Sequence, residues 1–404
     1  MIYKKKFFYV ENVSAEKISK KFKTPLYCYS YSKLKNNILN FKNYFKKINP
    51  LICFSVKSNC NLNLLREIKK LGCGADVVSK GEIFKALKAG IGSKKIVFSG
   101  VGKTYSELEY AIKKNILLIN VESKSELLLI EKIAKFKNKK VNVGIRLNPN
   151  TDAKTLKQIS TGKESDKFGV SENEFYDLVR YSKMSKFLML KCLSVHIGSQ
   201  ILSHTPYQNM LNKIDKVIKK SRYFFEFIDL GGGIGISYEK KNKKFNYSAL
   251  NLLVNKFLKK HNSKIIFEPG RSIIGNTGIL ISKILYIKKR KNKNFIILDA
   301  GMNDFIRSAL YGANHKIIPL IKNRITINKK FEFVGPICES TDKFLTLKKF
   351  QHIKEGDMII ICDVGAYGMT LSSNYNVRPM PAEILIKGSK VQVIKKRQRL
   401  EDLV

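Results

Sequence analysis

Lys57 closes the apolar run "LICFSVKSNCN", Leu51 to Asn61, where a strand would be buried and an ammonium group costly. Such a lysine is either a strand end reaching solvent or an amine wanted neutral, as a nucleophile or Schiff-base former. Further along, "HIGSQ" sets His196 and Ser199 behind another apolar run, a place that also suits a satisfied core histidine. "LGGGIG" gathers Gly231, Gly232, Gly233 and Gly235, whose amides can cradle a phosphate or simply make a turn. "EPGR" brings the Glu268 carboxylate and the Arg271 guanidinium together around Pro269 and Gly270, as ligand groups or as a salt-bridged turn. In "GPICES", Cys338 stands beside Glu339; a single cysteine in an apolar context is commonly packing, yet a thiol near charge can also move a proton. Taken one at a time, each has an ordinary structural explanation.

The elements that carry these residues share one grammar: an apolar strand ends in Gly, Ser, Asn or Lys, and an amphipathic helix follows. "LICFSVK" precedes "LNLLREIKKLG", whose Leu62, Leu65 and Ile68 recur at helical spacing before a glycine stop. "CGADVVS", "KIVFSG", "ILLINVES", "VNVGIRLN", "CLSVHIGS", "FFEFIDLGGG" and "KIIFEPGRS" continue the series to eight strands. Ser106 with Glu109, and Ser123 with Glu126, have capping-box spacing. Continuous apolar strands alternating with helices imply a parallel sheet covered by helices. Eight such units predict a (β/α)8 TIM-like barrel over residues 25–280, with a doubly wound open sheet as the other topology that fits. Residues 281–404 change character. "NFIILDAG", "KKFEFVGPIC", "DMIIICDVG" and "AEILIKGSKVQVIKKR" are strand-like with little helix between, so an antiparallel β domain, a barrel or sandwich, is expected. Residues 1–24 are expected to contribute to that domain, and "TPLYCYSY" is a further strand that can join its sheet.

The 404 residues suffice for a barrel and a smaller domain, and 44% hydrophobic with 27% charged content describes a soluble globular chain. No segment approaches a membrane span, and the apolar run near the N-terminus is too short for a signal peptide. Seven cysteines without a C-x-x-C pair or a Cys/His cluster predict no metal site and a reducing cytoplasm. The formal charge is +44, from 76 Lys+Arg against 32 Asp+Glu. The lysines are scattered, without a basic tail or a nucleic-acid-binding motif, so a solvated surface rather than specific nucleic-acid binding is expected.

In a barrel of this kind, catalytic groups sit at the C-terminal ends of the strands. Lys57 ends the first, His196 and Ser199 the sixth, the glycine turn the seventh and Glu268–Arg271 the eighth. Together they supply what pyridoxal phosphate requires: an amine for its Schiff base, amides for its phosphate and an acid opposite its ring nitrogen. The ordered set "FSVKSN", "GADVVSKGE", "STGKESDKFG", "HIGSQ", "LGGGIG", "EPGRSI", "DAGMNDFIRSALY", "GPICESTD" and "GAYGM" resembles the diaminopimelate decarboxylase family, from Lys57 through Tyr367. That family has an alanine-racemase-like fold, a cofactor-binding barrel plus a C-terminal β domain. Three positions depart from its pattern: Ser55 and Ser58 stand where alanine is common, and Ser308 where proline is frequent.

The resemblance implies that Lys57 carries the cofactor, with His196 against its ring and Ser199 and the four glycines near its phosphate. It implies Glu268 at the ring nitrogen, with Pro269 and Gly270 in the same turn. Arg271, Arg307 and Tyr311 would clamp the distal carboxylate of meso-diaminopimelate, and Glu339 its distal ammonium. Tyr367 would touch cofactor and substrate, and Cys338 would donate the proton. Cys338 and Glu339 would serve the partner subunit's site, which implies a homodimer. A decarboxylase of ornithine or arginine on the same fold is the alternative. Those relatives carry an aspartate after the cysteine and lack the Arg307–Tyr311 pairing. A racemase would be expected to carry an opposing catalytic tyrosine.

Overall fold

The computed structural model describes residues 1–238 and 244–404. They form two compact units, one of residues 38–236 and 244–272, the other of Met1–Asn37, residues 237–238 and Ile273–Val404.

The first unit is a closed barrel of parallel strands, Leu51–Ser55, Gly74–Val77, Ile96–Phe98, Leu118–Val121, Val141–Arg146, Leu188–Ser194, Phe227–Asp229 and Lys264–Phe267. Each pairs with the next in sequence, and Ile266↔Leu51 and Phe267↔Ile52 close the ring, which excludes the open sheet. The strands read as continuous apolar runs because both faces are covered. Inside, Cys53, Val97, Leu118, Cys192, Phe227 and Ile266 make one buried cluster. Helices such as Leu62–Lys70 cover the outside, that one burying Leu64, Leu65 and Ile68 and capped by the Asn61 side chain on Asn63 N–H.

The capping positions differ in part from the expected ones. The helix Tyr105–Lys113 starts from Thr104, whose hydroxyl accepts from Glu107 N–H while Glu107 accepts from Thr104 N–H. Glu109 instead pairs with Lys137 at 2.7 Å, so Ser106 and Glu109 are not a cap. Ser123 does cap Lys124–Phe136, but Glu126 reaches the N–H of Glu122 rather than that of Ser123, and takes Lys103 at 2.6 Å.

The second unit is built on a sheet ordered Lys343–Leu347, Lys330–Val334, Lys293–Leu298, Gly278–Lys289, Leu26–Ser30, Ala382–Lys387, Lys390–Lys395, with Met358–Ile361 and Ile317–Pro319 also joined through Gly278–Lys289. Its pairings are antiparallel except at two places, where Lys293–Leu298 meets Lys330–Val334 and Leu26–Ser30 meets Ala382–Lys387. The strand from "TPLYCYSY" therefore sits inside this sheet. With Gly278–Lys289 beside it, the observed division falls at 37/38 and 272/273 rather than at 24/25 and 280/281. Ile2–Lys4, Phe7–Val10 and Val13–Ser14 form a small antiparallel sheet, and Phe8 and Val10 join Leu26, Cys28, Ile279 and Ile281 in one core. Among the described residues, no helix is long and apolar enough to cross a membrane.

Candidate active site

The barrel brings its sequence-predicted residues to one rim, just past the ends of their strands. Lys57 lies in a single helical turn, Val56–Ser58, immediately after the first strand. Its Nζ is 3.4 Å from Asp76 Oδ2; the lysine side chain is 38% exposed while the aspartate is fully buried. Ser55 and Ser58, the two departures from the family pattern, both make hydrogen bonds. Ser55 Oγ donates to Asp76 Oδ2 at 2.7 Å, and Ser58 Oγ donates to Ser55 O at 2.7 Å, closing the turn that holds the lysine.

Behind the lysine lies a buried acid cluster. Asp229, at the end of the seventh strand, accepts from Asn120 Nδ2 at 3.0 Å, Ser194 Oγ at 3.3 Å and Gly231 N–H at 3.0 Å. Glu268 accepts from Ser99 Oγ at 3.5 Å and shares a hydrogen bond with Asp229. Burial, then the Asp229 and Asp76 charges, hold the Glu268 carboxyl well above the usual range; burial also pushes Asp229 up to about 6. Glu268 is thus the member that keeps its proton. This departs from a simple ionised carboxylate, because among protein groups alone three acids outnumber the nearby Lys57 cation.

His196 is placed by the glycine turn. Its Nδ1 accepts from Gly232 N–H at 3.1 Å, which puts the proton of the neutral ring on Nε2. Burial, then the Lys57 and Arg146 charges, keep the imidazole well below its ordinary value, so it is neutral at physiological pH. Gly231 has φ +64, and a Cβ there would meet His196 Nδ1 at 2.5 Å. A Cβ on Gly232 would meet Glu268 O at 2.1 Å. The turn therefore packs directly on both neighbouring site residues. The amides of Gly231, Gly232 and Gly235 bond Asp229, His196 and Ile201. Those of Gly233, Ile234 and Gly270 have no acceptor among the described residues. Arg271, 5% exposed, donates from Nη2 to Ser199 Oγ at 2.9 Å.

This donor set fits pyridoxal phosphate on two observations. Backbone amides without acceptors lie in a turn whose four glycines leave no room for a Cβ and in the Gly270 loop beside the buried Arg271, and a protonated acid is held in reach of carboxylates that favour a cation. Lys57 supplies the accessible amine.

The β unit holds the remaining predicted residues. Arg307 opens the helix Arg307–Tyr311, is 5% exposed, and donates from Nη1 to Tyr238 Oη at 2.9 Å. Ser308 Oγ donates to Ala313 O at 3.0 Å, closing the turn after Tyr311. Cys338 is exposed. Glu339 accepts from Tyr375 Oη at 2.5 Å and Thr341 Oγ1 at 3.1 Å. Tyr367 sits at φ 56, an uncommon conformation for an aromatic residue and one that clusters at functional sites.

Several site residues escaped the sequence reading. Asp76 and Asp229 each interrupt an apolar strand end, the same anomaly that singled out Lys57. Asp342, three residues past Glu339, ties two loops by accepting from Met302 and Ile337 N–H, both at 2.7 Å. His315 and Tyr238 gave no signal, since neither falls in a motif.

Comparison with known proteins agrees with this layout. Residues 31–275 match the family described as pyridoxal-dependent decarboxylase, pyridoxal binding domain. The chain is 44% identical over 391 residues to diaminopimelate decarboxylase of Helicobacter pylori strain J99, covering 96% of each. It is 39% identical over 399 residues to that of Aquifex aeolicus, covering 98% of this chain and 94% of the relative. The crystal structure of the Helicobacter pylori diaminopimelate decarboxylase complexed with L-lysine superimposes with a TM-score of 0.92 at 44% identity, over 96% of this chain and 98% of that one.

Proposed function

Since the chain belongs to the diaminopimelate decarboxylase family of pyridoxal-dependent decarboxylases, we propose that it removes carbon dioxide from the D-centre of meso-2,6-diaminopimelate, giving L-lysine in the last step of lysine biosynthesis. The observation that carries this reading is one barrel rim with the Lys57 amine, a glycine turn and the protonated Glu268. When bound, pyridoxal phosphate supplies the sink for the electron pair left as the carboxylate departs.

The chain's own residues have separable tasks. Lys57 Nζ is the attachment point, and Asp76 orients it. Glu268, its carboxyl protonated, would face the ring nitrogen of the bound cofactor and supply the proton that lets the ring draw electrons. His196, neutral, would pack against the cofactor ring without adding a competing charge. The amides of Gly233, Ile234 and Gly270, with Ser199 and Arg271, take the phosphate. Arg307 and Tyr311, with Arg271, hold the distal carboxylate, a task suited to guanidinium forks. Glu339 takes the distal ammonium, Tyr367 contacts cofactor and substrate, and Cys338 Sγ delivers a proton to the carbon that lost its carboxylate.

Cys338 and Glu339 act in the partner's site, so the working unit is a homodimer. Supporting this, Cys338 is exposed, and Tyr375, whose hydroxyl donates to Glu339, is 45% exposed beside it. The chain works in the cytoplasm, which suits its seven free thiols. Purified protein with added pyridoxal phosphate, assayed on meso-diaminopimelate, ornithine and arginine, should release carbon dioxide from the first alone. Comparable kcat/KM on ornithine or arginine would replace this reading with that of a different diamino-acid decarboxylase.

A further inference from the structure

His315 lies four residues past Tyr311 and is 1% exposed. Its ring stands edge-on to Phe305 at 4.6 Å and to Tyr238 at 4.7 Å between centroids. Nδ1 is 2.9 Å from the carbonyl oxygen of Cys362. A carbonyl only accepts, so Nδ1 carries the hydrogen. Nε2 is 2.8 Å from Arg307 Nη1, and a guanidinium only donates, so Nε2 offers its lone pair. One species satisfies both contacts, the neutral Nδ1–H imidazole. An imidazolium would set N–H against N–H. The second hydrogen of Arg307 Nη1 goes to Tyr238 Oη at 2.9 Å, and the guanidinium carbon lies 5.1 Å from the centre of that tyrosine ring. Both hydrogens of Nη1 are therefore used by the protein, and the plane of the guanidinium is set by His315 and Tyr238 together.

We propose that His315 is the positioning residue of the carboxylate clamp: anchored on the Cys362 carbonyl, it accepts from Arg307 Nη1 and aims the guanidinium at the substrate's distal carboxylate. The inference rests on the role given to Arg307 under the proposed function. It adds that selection of a second carboxylate depends on a buried imidazole that never touches substrate. A guanidinium held from behind in this way keeps its aim, and a misplacement of about 1 Å can cost about a hundredfold.

The test compares two ligands of the full-length holoenzyme. L-lysine keeps the distal carboxylate; 1,5-diaminopentane is the same molecule without it. His315→Phe retains the aromatic packing and loses both hydrogen bonds, whereas His315→Gln retains an acceptor for Arg307. The expected result for His315→Phe is inhibition by L-lysine weakened about tenfold to a hundredfold, with KM for diaminopimelate raised in parallel and kcat changed far less. Inhibition by 1,5-diaminopentane should stay within about twofold, and His315→Gln should recover most of the loss. Equal weakening of both ligands, or none, overturns the proposal. Arg307→Ala separates the two levels. If it abolishes L-lysine inhibition while His315→Phe does not, the clamp stands and the positioning role fails. If it leaves L-lysine inhibition intact, both fail. Should His315→Phe not fold, ¹⁵N-histidine spectra of the wild-type holoenzyme decide: the protein has five histidines, and a neutral Nδ1–H signal removed in His315→Gln is expected. An Nε2–H or imidazolium state at neutral pH would overturn the proposal.

Discussion

Replacing Glu268 by glutamine separates two things that this carboxyl does. In the fold it is 5% exposed and kept protonated by burial and by the Asp229 and Asp76 charges, and it shares a hydrogen bond with Asp229. A glutamine N–H can make the same donation, and its Oε1 can still accept from Ser99. The variant should therefore fold as well as the wild type. What the amide cannot do is become an anion beside a protonated ring nitrogen. Losing a preorganised, charge-assisted partner in a buried site costs about 3–4 kcal/mol of transition-state stabilisation, or about 10²–10³-fold in kcat. Stability should move the other way. The folded pKa of Glu268 is raised above its ordinary value of 4.5, so the native state holds the proton longer than the unfolded chain. Wild-type stability from this group falls as pH rises from the unfolded value towards the folded one. Glu268→Gln removes that loss, so the variant apoprotein should match the wild type near about pH 5 and be at least as stable near about pH 8. The measurements are kcat at saturating cofactor, cofactor absorbance, and urea unfolding at both pH values. A kcat within about threefold of wild type would refute the ring-nitrogen role. An apoprotein weakened by more than about 2 kcal/mol at the higher pH would show that Glu268 is ionised and paired in the fold.

Borohydride reduction of the holoenzyme followed by peptide mapping should label Lys57; a label on any other lysine removes the assignment. Lys57→Ala and Cys338→Ala, each nearly inactive, should regain about a quarter of wild-type activity once their subunits exchange, since about half of the dimers are mixed and each has one intact site. A mixture that exchanges and stays dead means that Cys338 does not act across the interface. Asp304, 2% exposed, has its carboxyl pushed up to about 7 mainly by burial. Wild-type stability from this group should fall between about pH 4 and about pH 7, and Asp304→Asn should gain on it by up to about 4 kcal/mol above that window. In urea unfolding, a difference that does not change with pH would contradict this. Any association of this +44 chain with DNA should be weak and disappear at moderate salt. Tight binding to one sequence at physiological salt would reveal a second activity.

The chain's local pattern was enough to establish eight strand–helix units, because strands buried on both faces must be continuously apolar and their helices must show a 3.6-residue stripe; that they close into a barrel rather than an open sheet was decided by the pairing of the eighth strand with the first. It was also enough to mark Lys57 and Glu268, since a charged residue directly after an apolar strand is out of place in a core and belongs at a rim. The family motifs added roles for Arg307, Cys338 and Tyr367. Pairing was not legible. Leu26–Ser30 reads as one more apolar strand, and only its register with Gly278–Lys289 and Ala382–Lys387 assigns it to the β unit. The cap expected at Ser106 lies instead at Thr104 for a similar reason, because both spacings satisfy the capping rule and the preference of Glu109 for Lys137 comes from a neighbouring helix. The acid cluster of Asp76, Asp229 and Glu268 joins residues from three strands, and the Cys362–His315–Arg307 chain joins a carbonyl, an imidazole and a guanidinium that are far apart or unremarked in the sequence. Protonation and tautomer depend on which groups the fold places within about 3 Å, a distance that no spacing along the chain specifies.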